Sequence, residues 1–405
     1  MTTGDSLATG QRSLGDPSID YPLWPPLTTG CPRTSTAEVA YPVEVDYAYD
    51  RVDPQLFDAA TPSRPGLERW APLLPPLHAP GLGEGRTPLI PLGPDVLLKD
   101  ESRNPTWSHK DRLNRCTASA AVGAGAPGIV VSSSGNHGAS AAAYAARAGL
   151  PCVVLASATM PGAVASFLHS YGALVLPVPE ADRWPLMRQI VERTGFHAAS
   201  NTTVTHTGHG FGPEGYKAIA YEILLDAGVP DAVFVPTGYG ELLFGVWKGF
   251  AELRRLGLTD RVPQIYSCEP AAGGPLAAAV RTGRPATRVG TGPTDAYAIS
   301  CEVGGYRGVV ALRESAGRPL LVDDRQLRAA QAELAGQGIW VELSSAAGLA
   351  GLAALKEAEG FEGRAVCIST SSGFKDRGVG ATPVTPLDAS WSTVDGMLKA
   401  AGISV

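Results

Sequence analysis

From residue 88 onward the sequence alternates short, β-branched apolar runs with longer alanine- and leucine-rich stretches, and no other feature restricts the fold as much. GIVVSSSGN, PCVVLAS, ALVLPV, DAVFVPTG, VPQIYSCEP and RAVCISTSSG are each of strand length. GASAAAYAARAG, AVASFLHSYG, RWPLMRQIVERTG, PEGYKAIAYEILLDAG, ELLFGVWKGFAELRRLG, DRQLRAAQAELAGQG and AGLAGLAALKEAE supply the helices between them. Strands buried on both faces read as continuous apolar runs, and parallel neighbours need a crossover about as long as a helix. The predicted fold class is therefore α/β, with open parallel sheets covered by helices on both faces. PLIPLGPDVLLKDE reads as a strand pair, and a helix from Asp111 to about Ala124 follows NPTWSHKDR.

Residues 1–80 are different: proline-rich and broken by turns, with one alternating run, YPVEVDYAYD, that suggests one or two strands. They read as an arm or cap on a larger body. A chain of 405 residues with 44% apolar and 18% charged residues has material for a sizeable core, with two domains as the prior. Lys+Arg 33 against Asp+Glu 39 builds no basic face, so nucleic acid is not an expected partner. MTTGDSLATGQRSLGD lacks the pattern of a secretory signal, and no run approaches the roughly 20 apolar residues that span a bilayer. A cytoplasmic protein with no membrane partner is expected. The six cysteines have no CxxC spacing and read as reduced and mostly buried; His206 and His209 lack companion ligands, so no metal is assigned.

In open α/β sheets the ligand site lies beyond the strand C-termini. Three loops there carry chemistry, and Lys110 must face the same cleft. A lysine at a helix start has an ordinary reading as a solvated charge. The alternative is an amine that holds an aldehyde cofactor as a Schiff base and later shuttles protons. The loop Ser132-Ser133-Ser134-Gly135-Asn136-His137-Gly138 sits at a strand–helix junction, where free N–H groups capture anions such as a carboxylate. A plain helix cap needs one Ser or Asn; this loop has far more, which favours binding. Asn136 offers a donor and an acceptor, suited to a phenolic oxygen. In Thr237-Gly238-Tyr239-Gly240-Glu241 the glycines let the backbone wrap a phosphate. The rest of a dinucleotide fingerprint is missing, which makes a nicotinamide dehydrogenase the poorer reading. Glu241 is awkward beside a dianion unless it points away or is offset by a cation. Thr370 ends the last strand, where its hydroxyl either bonds a pyridine nitrogen or belongs to a serine-rich turn.

These segments resemble threonine synthases. NPTWSHKDR is similar to that family's cofactor-lysine segment, NPTGSFKDRG, and GLGEGRTPL, SSSGNHGASAAAYAARAGLPCVVLA, GPEGYKAIAYEI, PTGYGELLFGVWKGFAEL and STSSGFKD follow in the family's order. The resemblance runs from roughly residue 68 to 378. It implies the tryptophan-synthase-β-like fold of pyridoxal 5'-phosphate enzymes, two parallel-sheet domains with a cleft between them. The expected division is an arm over 1–80, a large cofactor domain over 81–125 and 206–405, and a small mobile domain over 126–205. It implies Lys110 as the cofactor lysine, Asn136 at the phenolic oxygen and Thr370 at the pyridine nitrogen. Thr237, Gly238, Tyr239, Gly240 and Glu241 become the phosphate loop, and Ser133, Ser134, Gly135 and His137 the substrate-carboxylate loop. A small amino-acid substrate and a homodimer are also implied. CPRTSTAEVAYPVEVDYAYD resembles the family's CPxCGG ribbon without its second cysteine.

The departures bear on the reaction. The family's NxxRxEGxK, which holds the substrate phosphate, reads HGFGPEGYK here, with glycine where the arginine belongs. The lysine of its GKxxQ-like segment is replaced within Gly162-Ala163-Val164-Ala165. Anion binding without charge-assisted donors is much weaker. His109 stands where phenylalanine is usual and Trp107 where glycine is; His109 either titrates near neutrality as a catalytic partner of Lys110 or packs against the cofactor. Tyr239-Gly240-Glu241 replaces Asn-Gly-Gly. The expected activity is a lyase in which Lys110 takes the α-proton of an unphosphorylated amino acid and a β-substituent is eliminated or replaced. The alternatives are authentic threonine synthase acting on O-phosphohomoserine, with Lys217 or Arg115 as substitute cations, and a non-catalytic protein that kept the fold.

Overall fold

The computed structural model describes residues 6–60, 64–380 and 386–403; residues 1–5 and 61–63 of the expected arm lie outside them. The arm begins with a three-stranded antiparallel sheet, β1 (Ala8–Ser13), β2 (Asp20–Pro22) and β3 (Val43–Tyr47), in the order β2-β1-β3. It is more than a cap. Val45, Tyr47, Phe57, Leu67 and Trp70 are buried in the same apolar cluster as Tyr221, Phe244 and Val366 of the main body.

The strand pair β4 (Leu89–Pro91) and β5 (Val96–Asp100) is antiparallel and leads through a short 3-10 turn into α1 (Lys110–Gly123). Next comes a four-stranded sheet: β6 (Ile129–Ser132), β7 (Cys152–Ala156), β8 (Leu174–Pro177) and the two-residue β9 (His197–Ala198). Its crossovers are α2 (Asn136–Arg147), α3 (Gly162–Ser170) and α4 (Glu180–Thr194). The order is β8-β7-β6-β9, all parallel. After α5 (Lys217–Ala227) the chain returns to the sheet begun by β4 and β5. It adds β10 (Ala232–Pro236), α6 (Glu241–Arg255), β11 (Gln264–Pro270), α7 (Pro275–Thr282), α8 (Tyr306–Glu314), β12 (Pro319–Val322), α9 (Asp324–Gly336), α10 (Ala347–Glu359) and β13 (Ala365–Ser369). The order is β12-β11-β10-β13-β5-β4, parallel except at β4. The central strands β10 and β13 are buried at every residue, as their unbroken apolar sequences require. A last helix, α11 (Trp391–Ala400), has no buried residue. No helix among the described residues is long and apolar enough to cross a membrane. All six cysteines are buried and free.

Two buried ion clusters tie elements together. Arg112 on α1, with no solvent exposure, donates to Glu101 Oε2 at 2.7 Å and to Glu222 Oε1 of α5 at 2.7 Å. Lys99 of β5 completes the set at 2.7 Å from Glu222 Oε2. In the second cluster Lys217 pairs with Glu214 at 2.8 Å and Glu252 at 2.9 Å, and Lys248 pairs with Glu214 at 2.8 Å. Breaking a buried pair by deleting one partner leaves an uncompensated charge. Arg112→Ala is therefore expected to cost about 3–5 kcal/mol of stability, read by urea unfolding; a loss under 1 kcal/mol would contradict this account.

Candidate active site

Lys110 is the first residue of α1, and the motif around it is a set of local ties. Asp111 accepts from Thr106 N at 2.6 Å, from Thr106 Oγ1 at 2.5 Å and from Ser140 Oγ of α2 at 2.6 Å. Asn104 donates to the Glu101 carbonyl and carboxylate, at 2.9 Å each. With Asp111 and Arg112 both consumed by structure, Lys110 is left half-buried on the cleft side, its Nζ 5.7 Å from the centre of the Tyr216 ring. Among the described residues its amine takes no hydrogen bond or ion pair. Burial lowers its pKa, against the pull of Glu241.

Thr370 and Asn136 meet around the same opening. The His109 N–H donates to the Thr370 carbonyl at 3.0 Å, and Ser371 Oγ donates to Asn136 Oδ1 at 3.1 Å. Asn136 Nδ2 in turn donates to Glu342 Oε2 at 2.7 Å, while Glu342 Oε1 is buried without a partner. The Thr370 hydroxyl lies 2.8 Å from Ser345 Oγ. Glu342 and Ser345 escaped the sequence reading because nothing in WVELSSAAG marks Glu342 as a neighbour of Asn136, 206 residues away, or Ser345 as a neighbour of Thr370, 25 residues on.

In the serine-rich loop the side chains are mostly internal fixings. Ser133 Oγ accepts the Gly135 N–H at 3.2 Å and Ser134 Oγ accepts the Ser157 N–H at 2.7 Å. Both His137 ring nitrogens are engaged, Nδ1 with Asn114 at 3.2 Å and Nε2 with the Ala199 carbonyl at 3.1 Å. Burial pushes His137 down to about 4. What the loop offers a ligand is the backbone: Gly135 caps α2, and the first-turn amides of Asn136, His137 and Gly138 have no carbonyl of their own helix to bond.

The loop after β10 is built around two glycines. A methyl on Gly238 would lie 2.9 Å from Cys301 Sγ, and one on Gly240, whose φ is +90°, 3.0 Å from Gly308 Cα. The buried Thr237 bonds back to the Val235 carbonyl at 2.7 Å. Tyr239 stacks on His206, centroids 4.0 Å apart and planes within 8°. Glu241 leaves the loop and lies against the backbone of Gly208, whose φ is +63°. Burial raises its carboxyl, but His206, Lys110, His137 and Arg307 together hold it below the ordinary range. Burial also drives His206 to about 4, so near neutral pH it is uncharged beside Glu241.

One of the two readings of His109 falls away, and the unassigned histidines find their places. His109 does not titrate near neutrality, because burial first, and then Lys110, press its pKa well below the usual value. Its Nδ1 lies 3.1 Å from the Thr370 carbonyl and so carries the proton, and its ring stacks on Tyr216 at 5.5 Å. It is a wall of the cleft. His209 does not join His206: its Nδ1 accepts from Phe211 N and Gly212 N, and its Nε2 donates to His197 Nε2 at 2.7 Å.

The donor set suits a phosphorylated pyridine aldehyde: an unpaired amine of lowered pKa, a glycine-lined helix start for the phosphate, a hydroxyl for the ring nitrogen and an amide for the phenol. The family model described as pyridoxal-phosphate dependent enzyme matches residues 81–373. The chain belongs to this family. It is 32% identical over 353 residues to the threonine synthase of Methanosarcina acetivorans, covering 82% of this chain and 84% of that one. Over 366 residues it is 31% identical to the threonine synthase of Methanocaldococcus jannaschii, covering 84% and 88%. Maize serine racemase superposes with a TM-score of 0.61 at 21% identity, covering 78% of this chain and 94% of that one, a likeness of fold. The chain is thus a pyridoxal-phosphate dependent enzyme with the two parallel-rich sheets of fold type II.

Trp107, at the glycine position of the family's lysine motif, adopts φ +62°, a left-handed conformation costly for a bulky residue. Its indole, Phe167 of α3 at 5.4 Å and Phe374 at 5.6 Å bridge the two sheets at the cleft mouth. Behind them Lys375 is fully buried, its Nζ without a hydrogen bond and 4.8 Å from the Phe167 ring centre.

Two expected outcomes follow from these environments. A positioned general acid or base contributes about 100-fold or more, whereas His109→Phe should cost far less than about 100-fold in turnover and leave the shape of the pH–rate profile unchanged. Burial lowers Lys375 to about 8, below a free lysine, so the unfolded chain binds the extra proton between those values. The buried amine then destabilises the fold fully below pH 8, and the cost fades as pH rises toward 10. Lys375→Met should gain on the order of 3 kcal/mol near pH 7 and progressively less toward pH 10; a pH-independent difference in denaturant midpoint would refute the assignment.

Proposed function

We propose that this enzyme is a lyase on a small, unphosphorylated amino acid, removing the α-proton and then eliminating or exchanging a substituent at Cβ. The observation that carries this reading is the fate of the cations that might have replaced the family's phosphate ligands. Lys217 is fully buried between Glu214 and Glu252. Arg115 is spent on Glu84 at 3.0 Å and Glu68 at 3.0 Å. Neither is available to a phosphorylated substrate. Lys375 is unpaired, but it is fully buried, and the groups that act on it are Asp111 and Glu342, the latter bonded to Asn136.

Lys110 would hold the cofactor, with Asn136 at its phenolic oxygen, Thr370 at its ring nitrogen and the Thr237–Gly240 backbone at its phosphate. When bound, the cofactor supplies an electron sink for the pair left by the broken Cα–H bond. The chain's own residues do the rest. The first-turn amides of α2 fix the substrate carboxylate, and Lys110 Nζ, whose lowered pKa favours the free amine, accepts the α-proton. His109 and Tyr216 wall the site against water. Trp107 and Phe167 narrow its mouth.

The test is a titration of the cofactor-loaded enzyme with O-phosphohomoserine, L-serine and L-threonine, following visible absorbance together with threonine, phosphate and keto acid. L-Serine or L-threonine should shift the band and yield keto acid and ammonia. Stoichiometric threonine and phosphate from O-phosphohomoserine would instead establish a threonine synthase with a rebuilt phosphate site.

A further inference from the structure

Resting on the placement of Asn136 at the cofactor's phenolic oxygen, the geometry points to Glu342 as the positioning residue that decides which end of the Asn136 amide faces that oxygen. An asparagine presents either its N–H or its carbonyl, two ends of nearly equal shape and opposite polarity. Only the N–H end stabilises an ionised phenolic oxygen; the carbonyl end repels it. Whatever holds the amide therefore sets the charge of the cofactor ring.

Asn136 opens α2, beside the four-stranded sheet, and two groups from the six-stranded side meet its side chain. One is the Ser371 hydroxyl, 3.1 Å from Asn136 Oδ1. The same hydroxyl lies 3.1 Å from the Trp107 carbonyl, so it has one proton for two acceptors. A hydroxyl also accepts as readily as it donates, and would serve the amide in either sense. The other group is Glu342 Oε2, 2.7 Å from Asn136 Nδ2. A carboxylate only accepts, so it bonds the N–H end and repels the carbonyl end. Glu342 is thus the partner that tells the two senses apart. It uses one N–H of Nδ2 and leaves the second for the cofactor.

The carboxylate is well fixed for this. Glu342 is buried, its own N–H donates to the Ser371 carbonyl at 3.1 Å, and the N–H of Leu343 donates to Asp376 at 2.8 Å. Carboxylate and hydroxyl therefore reach Asn136 from one tied edge of backbone. Leaving Glu342 Oε1 buried and unpaired costs the fold stability, which packing alone gives no reason to accept.

The experiment compares the wild type, Glu342→Gln, Asn136→Ala and the double variant, each loaded with cofactor. The readout is the ratio of the visible band, which comes from the ionised phenolic oxygen, to the ultraviolet band of the un-ionised form. Glutamine offers both a donor and an acceptor and no longer selects a sense. Glu342→Gln should lower the ratio about tenfold, the difference between a hydrogen bond to a charged and to a neutral group. In the Asn136→Ala background it should change nothing further, because the carboxylate acts through the amide. An unchanged or raised ratio in Glu342→Gln would overturn the proposal, since removing a negative charge that acts through space alone favours the ionised oxygen. An undiminished effect in the Asn136→Ala background would overturn it as well. A spectrum unmoved by Asn136→Ala would instead overturn the placement of Asn136. Should the glutamine variant not take up cofactor, Glu342→Asp, which keeps the charge but withdraws it from Asn136, replaces it with the same fall expected.

Discussion

The site depends on Arg112. This guanidinium sits without solvent between Glu101 and Glu222 and joins the end of β5, the start of α1 and the middle of α5 in one charge-balanced knot. Glu222 is held well below the usual carboxylate range by Arg112 and Lys99, against a burial penalty that alone would raise it. Such a knot gives little net stability over apolar packing but tolerates almost no displacement, because each missing partner strands a charge. Lys110 is two residues away on the same helix turn. Its amine can be left unpaired and poised because its neighbours Asp111 and Arg112 carry the structural duties.

From that fixed point the cleft divides into two electrostatic ends. At one, Thr370, Asn136 and Ser371 form a neutral hydroxyl–amide surface backed by Glu342, whose carboxyl burial raises. At the other, the glycine loop and Glu241 meet a backbone kept bare at Gly208. The second cluster, around Lys217 and Glu214, lies beneath the stretch that carries substrate-phosphate ligands in the family. It holds Lys217 inward between Glu214 and Glu252, while Tyr47 of the arm donates to Glu214 at 3.0 Å.

Much of this was legible in the sequence, for physical reasons that also mark the limit. Central strands such as AVFVP are apolar without interruption, and strand–loop–helix junctions with several serines or glycines stand out against plain caps. Lys110, the loop at Ser133–His137, the loop at Thr237–Glu241 and Thr370 therefore stand out as candidates from sequence alone. Partners contributed across sheets do not. Glu342 reaches Asn136 over 206 residues of sequence, and Arg307 lies on α8, in a region of short, irregularly spaced elements that gave no periodic signal. A lysine in an open motif and one locked between two carboxylates also look the same in one dimension. Lys217 and Arg115 read as free cations in one dimension and are both paired in three.

The tryptophan in a glycine's backbone conformation has an optical consequence. Trp107 is 42% exposed, its indole touching α3 on one side of the cleft and Phe374 on the other. Any widening between the two sheets must hydrate that ring, and any narrowing must dry it. The chain thus carries, at the mouth of its own cleft, one of its seven tryptophans as a fluorophore whose share of the emission reports how wet that mouth is.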